Sequence, residues 1–249
     1  RLYELTSNTV SFPDDIKQIQ SCIDNRLDRK AIGRKRIAGI IGDAPSHYAK
    51  SPFLWNAVFR DLKMKAVYLP FDVHLSRLPE LTRALKQSDQ VMGVNVTVPY
   101  KVKIMEFLDK LDEKAGQIGA VNTIVRTEDG ELVGYNTDGK GFLNSIVTPQ
   151  PGQRDPFVES LKGRDVLIIG AGGSARAVAF HLAEAVGNGQ LLISNRTQES
   201  AVSLAEDLKN ISANARAIKE DEVPEYAPKV GLIINCSTKG QGGIRKSAD

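Results

Sequence analysis

The stretch Val166-Leu-Ile-Ile-Gly-Ala-Gly-Gly-Ser-Ala175 (VLIIGAGGSA) decides the fold class. Four consecutive apolar residues read as a strand buried on both faces, and the run from 174 to 186 reads as a helix. Between them, Gly170, Gly172 and Ala175 match the pattern G-x-G-x-x-A. The first glycine permits a tight turn, and the second lets backbone approach a pyrophosphate. A small third residue lets the helix pack closely on the strand. Ala171, Gly173 and Ser174 complete a loop whose N–H groups face an anion at the helix N-terminus.

The residues downstream repeat the alternation. A strand over 190–194, a helix over 198–208 and a strand over 230–235 make a second βαβ series after the strand at 165–169. In NAD-binding folds an acidic residue near the end of the second strand takes the ribose 2′-hydroxyl. Here that strand ends Ser194-Asn195-Arg196-Thr197, without an acid. Arg196 suits a 2′-phosphate, which favours NADP over NAD; the competing reading is a solvated surface arginine.

Upstream, short apolar runs at 37–41, 67–71, 92–96, 121–125 and 132–135 read as strands, and 52–62, 78–85 and 100–111 as helices. The last is predicted to carry Ile104, Phe107, Leu108 and Leu111 on one face. The expected fold is α/β with two domains: a mainly parallel α/β substrate domain over 36–145 and a Rossmann-type NADP-binding domain over 146–249. Residues 1–35 read as an N-terminal appendage. They hold a helix over 14–27, with Ile16, Ile19, Ile23 and Leu27 at helical spacing, and a polar linker over 25–35. The Pro/Gly-rich stretch 147–156 reads as a loop.

Composition narrows the class. The 249 residues are 41% hydrophobic and 25% charged, with a net charge of +3, which is too weak and too interleaved to argue for nucleic acid. No apolar run is long enough for a membrane helix, and Arg1 to Pro13 lack the pattern of a signal peptide. Cys22 and Cys236 are distant and suit a reducing, cytoplasmic setting. His47, His74 and His181 form no metal-ligand spacing with them, so no metal is expected. The chain begins without Met, so its coding start is expected upstream.

Three polar segments end apolar runs: Gly93-Val-Asn-Val-Thr-Val-Pro-Tyr-Lys101, Gly119-Ala-Val-Asn-Thr123 and Gly134-Tyr-Asn-Thr-Asp-Gly-Lys-Gly141. Ligands of open α/β sheets bind beyond the carboxyl ends of strands. Taken singly, Lys101 is also a surface lysine at a helix start, Asp138 an Asx-turn residue, and Asn95 and Asn122 turn caps. Taken in order, N-V-T-x-P-x-K, G-A-V-N-T and G-Y-N-T-D-x-x-G, followed by G-A-G-G-S-A-R-A, N-R-T and I-N-x-[ST]-x-x-G, resemble the shikimate dehydrogenase family. The resemblance runs from about Gly39 to Gly240.

The resemblance implies reversible, NADP-linked interconversion of 3-dehydroshikimate and shikimate, with a small-molecule substrate as partner. It implies Lys101 as the proton donor or acceptor and Asp138 as its carboxylate partner. Asn95, Thr97 and Asn122 would hold the substrate, and Asn195, Arg196, Thr197 and Ser237 would join the glycine turn around the cofactor. Close alternatives are a dehydrogenase of quinate or a related cyclic polyol acid, and a non-catalytic ligand-binding or regulatory relative. The family's G-x-P-x-x-H-S-x-S-P, whose two serines hold the substrate carboxylate, is altered. Aligned on Ser51-Pro52, the first serine is Ala49 and the histidine is Tyr48, so Ser51 is joined by Tyr48 or Lys50 as carboxylate donor. The family pattern also continues past Gly240, which leads to the expectation of a truncated second domain or of a module from a multifunctional polypeptide.

Overall fold

The structure, a computed structural model, describes residues 12–209, 211 and 214–239. Gly240, the basic stretch at Arg245-Lys246 and the end at Asp249 lie outside the described residues. The chain divides into two compact units, Arg1–Leu111 with Thr123–Gly134, and Asp112–Asn122 with Tyr135–Asp249.

In the first unit, helix α1 (Phe12–Cys22) is followed by the short α2 (Arg29–Ile32). Ile16, Ile19, Ile23 and Leu27 are all buried, and α1 packs on helix α5 (Leu78–Gln87), so the helical spacing marks a core face. The polar stretch 25–35 is ordered by specific bonds. Asp28 caps α2 by accepting from the Lys30 and Ala31 N–H groups, at 3.0 Å each. Such a cap stabilises by about 1 kcal/mol. Asn25 donates to the Pro70 carbonyl at 3.0 Å and accepts from the Asp72 N–H at 2.8 Å.

The first sheet contains β1 (Arg36–Gly42), β2 (Ala66–Asp72), β3 (Val91–Val96), β4 (Lys110–Leu111), β5 (Thr123–Arg126) and β6 (Leu132–Tyr135), in the order β2-β1-β3-β5-β6-β4. Strand β1 runs parallel to β2 and β3, β4 runs parallel to β6, and β3 pairs antiparallel with β5. Helices α3 (Pro45–Tyr48) and α4 (Ser51–Asp61) connect β1 to β2.

The helix expected over 100–111 does not form. A 3-10 turn spans Lys103–Phe107, and Lys110–Leu111 is strand. Asp109 captures the segment: its N–H donates to the Leu132 carbonyl at 3.0 Å, and its carboxylate accepts from the Leu132 N–H at 2.8 Å. These bonds pull the chain into register with β6, and of the four apolar residues only Ile104 is fully buried.

The second unit is built on a four-stranded parallel sheet of β7 (Val166–Ile169), β8 (Leu191–Ser194), β9 (Ala215–Ile218) and β10 (Leu232–Asn235), in the order β10-β7-β8-β9. Alternate residues serve two cores. Val166, Ile168, Leu191 and Ile193 face the larger one with α8 (Gly173–Val186), while Leu167, Leu192 and Ile218 face a smaller one. Helices α6 (Glu113–Ile118), α7 (Asp138–Val147), α9 (Gln198–Asp207) and α10 (Val223–Tyr226) complete the unit. Helix α7 packs directly on α8 at Gly139, where an added Cβ would lie 2.0 Å from the Ala177 carbonyl oxygen. Only a residue without a Cβ permits that approach.

Candidate functional site

In the first unit, polar residues gather where β1 and β3 end. Thr97 follows β3, and its N–H donates to Ile41 at 2.8 Å. Tyr48 closes α3, and its hydroxyl donates to Asp43 Oδ1 at 2.9 Å and lies 3.4 Å from the Val98 carbonyl oxygen. Burial raises the Tyr48 pKa, and the neighbouring Asp43 carboxylate raises it further. A hydroxyl has one proton, so Tyr48 held in this way presents lone pairs to a ligand.

A second group is internal. Ser51 opens α4 near the Tyr68 phenol. Tyr68 donates to Asn95 Oδ1 at 2.7 Å, and Asn95 Nδ2 donates to Thr123 Oγ1 at 3.1 Å. Two sequence-predicted or motif residues, Asn95 and Thr123, thus form a chain with Tyr68, which the sequence did not mark. Its only signal there is a hydroxyl within an otherwise apolar strand.

Lys101 follows a fixed anchor. Tyr100 is buried, donates its hydroxyl to the Val73 carbonyl at 2.7 Å, and donates its N–H to Thr97 at 3.0 Å. Lys101, the next residue, is half-buried.

In the second unit the segments around Asn122 and Asp138 interlock. Asn122 is buried, at 8% exposure, and donates through Nδ2 to Asp138 Oδ1 at 2.7 Å and to Thr137 Oγ1 at 2.9 Å. Its Oδ1 accepts from the Thr137 N–H at 3.0 Å. Asn136 donates to the Ala120 carbonyl at 2.9 Å and accepts from the Asp138 N–H at 3.0 Å. Asp138 opens α7, one residue before the close contact of Gly139 with α8.

The glycine turn lies on that same α8. Gly170 has φ +117, and an added Cβ would lie 3.0 Å from the Cys236 carbonyl carbon. Gly172 is the N-cap of α8, no side chain caps that end, and an added Cβ at Gly172 would meet nothing within 4 Å. Gly173, Ser174 and Ala175 form the first turn, which holds no acidic residue. Open space, uncapped N–H groups and the helix dipole fit a diphosphate. Ala171 joins the two glycines.

Arg176 is occupied elsewhere, pairing with Asp207 and donating to the Ile118 carbonyl at 2.9 Å. Arg196 stands exposed just past β8. Asn195 donates to the Thr197 carbonyl at 3.0 Å, which shapes the turn that carries Arg196. Ser237, beside Gly170, is held by Asn235 Oδ1, to which its hydroxyl donates at 2.7 Å.

These segments coincide with two family models. Residues 40–124 match the shikimate dehydrogenase substrate binding domain, and residues 155–248 match shikimate / quinate 5-dehydrogenase. The shikimate dehydrogenase (NADP(+)) of Symbiobacterium thermophilum is 42% identical over 212 residues, covering 84% of this chain and 68% of the relative. The chain belongs to the shikimate dehydrogenase family. Among solved structures of that family, the enzyme from Aquifex aeolicus has a TM-score of 0.72 at 31% identity, covering 86% of this chain and 73% of that one. The enzyme from Thermus thermophilus, solved with NADP(H) and shikimate, has a TM-score of 0.67 at 32% identity, covering 82% and 69%. The family's two-domain α/β fold accounts for the two sheets. Among the described residues no helix is long and apolar enough to cross a membrane.

Proposed function

We propose that this chain carries out the reversible, NADP-linked reduction of 3-dehydroshikimate to shikimate. The observation that carries the reading is the Asn122–Asp138 bond on a helix that packs against the dinucleotide helix. A carboxylate of assigned role is thereby fixed to the element whose N-terminus fits the cofactor. When bound at Gly170–Ala175, the nicotinamide cofactor would supply or accept the hydride exchanged with the substrate carbon.

The chain's own residues handle the proton and the binding. Lys101 gives a proton to the developing alkoxide in reduction and removes it in oxidation. Asp138 takes the carboxylate role that the family pattern assigns it. Ser51, Asn95, Thr97, Asn122 and Tyr48 bind the substrate's polar groups, and Asn122 also holds Asp138. Gly170–Ala175 receives the diphosphate, Asn195, Arg196 and Thr197 the 2′-phosphate end, and Ser237 the nicotinamide end. The two cysteines, Cys22 and Cys236, are far apart in sequence, which supports a cytoplasmic setting. Fusion to or assembly with enzymes of the same pathway is read from the coding sequence on either side of the chain.

The test is a panel of shikimate and quinate, each with NADP+ and NAD+, followed at 340 nm. Shikimate with NADP+ should give the highest kcat/KM. A preference for quinate moves the reading within the family, and no turnover with any pair removes it.

A further inference from the structure

Tyr68 has no assigned part in the reaction, yet it lies between two residues that do. It is 3% exposed in β2, and its position is over-determined. Asn56 donates to its carbonyl at 2.8 Å and accepts from its N–H at 2.9 Å, while its ring stacks on Trp55 at 6.5 Å and 20°. Burial pushes its pKa up to about 12, so the phenol keeps its proton at any working pH.

The hydrogen bonds through it have one consistent direction. Tyr68 gives its hydroxyl hydrogen to Asn95 Oδ1 at 2.7 Å, and Asn95 Nδ2 gives one to Thr123 Oγ1 at 3.1 Å. An amide turned by 180° would set Nδ2 against the phenol and remove the acceptor that the Tyr68 proton uses. A buried donor left unmade in this way is costly.

We propose that Tyr68 is a positioning residue that fixes the amide orientation of Asn95 for substrate. The proposal rests on the reading that Asn95 binds the substrate. Tyr68 acts through it, so its removal weakens substrate binding more than it slows proton or hydride transfer.

Tyr68→Phe keeps the ring and deletes only the hydroxyl. The KM for shikimate should rise on the order of tenfold, with kcat within about threefold and the KM for NADP+ unchanged. In an Asn95→Ala background the same change should add little; full additivity overturns the proposal. A second readout needs no substrate. The Asn95 side-chain amide resonances of the ligand-free protein, assigned by their loss in Asn95→Ala, should shift and exchange faster with solvent in Tyr68→Phe. Unchanged resonances overturn the proposal whatever the substrate is. Absent turnover in the wild type overturns the functional reading instead, and the amide measurement still decides Tyr68. Thr123→Val, on the other side of the amide, should move the same resonances and serves if Tyr68→Phe does not fold.

Discussion

Asn122 Nδ2 lies 2.7 Å from Asp138 Oδ1 and uses its other hydrogen on Thr137 Oγ1 at 2.9 Å. A buried amide thereby sets the carboxylate's direction before any ligand arrives. Buried hydrogen bonds to charged groups contribute about 1.5–3 kcal/mol. Asn122→Ala should therefore lower kcat/KM for shikimate by roughly 10- to 100-fold, at about 1.4 kcal/mol per factor of ten, while the KM for NADP+ stays near wild type. Steady-state kinetics check this. A loss confined to cofactor KM contradicts it.

Gly139 and Gly141 lie in the same helix in opposite surroundings. A Cβ at Gly139 would sit 2.0 Å from the Ala177 carbonyl oxygen and 2.4 Å from His181 Nδ1, whereas one at Gly141 meets nothing within 4 Å. Gly139→Ala should cost about 1–3 kcal/mol by forcing α7 off α8. Gly141→Ala should stabilise by about 0.5–1 kcal/mol through helix propensity. Urea denaturation of the two variants should give midpoints on opposite sides of wild type.

Asp109 accepts the Leu132 N–H, which is the first cause of its lowered pKa, followed by its bond with Lys86. A carboxyl lowered in the folded state contributes stability that is present above its unfolded pKa, about 3.9, and lost as pH falls through the folded value. Asp109→Ala should cost about 1 kcal/mol at pH 7. The gap from wild type should narrow below about pH 4. Denaturation midpoints between pH 7 and pH 3 check it; a gap that widens with acid contradicts the sign.

Arg196 is exposed past β8 on a turn shaped by Asn195. If it grips the 2′-phosphate, Arg196→Gln should raise the KM for NADP+ by about 10- to 100-fold, with little change for NAD+, since only one cofactor carries that charge. Equal effects on both would assign Arg196 to the surface.

Much of this was legible in the residues. VLIIGAGGSA announced a strand, turn and helix, because a buried parallel strand and a glycine cap leave unmistakable local patterns. Residues 100–111 misled, because apolar spacing there mimics a helix while Asp109 makes its decisive bonds to Leu132, 23 residues away. Asp138 could be read from its own segment as a turn residue or as a carboxylate partner, and its bond to Asn122, 16 residues away, was not readable there. Tyr68 was invisible for the same reason: its hydroxyl reaches Asn95, 27 residues on. Local chemistry was readable, and long-range polar pairing was not.

The most direct test of the account compares wild type with Lys101→Ala. Shikimate oxidation is followed through NADPH absorbance at 340 nm, and shikimate binding by calorimetry. The account predicts turnover by the wild type, and in the variant a kcat lower by at least about 100-fold with shikimate still bound. Turnover in Lys101→Ala at the wild-type rate would contradict it.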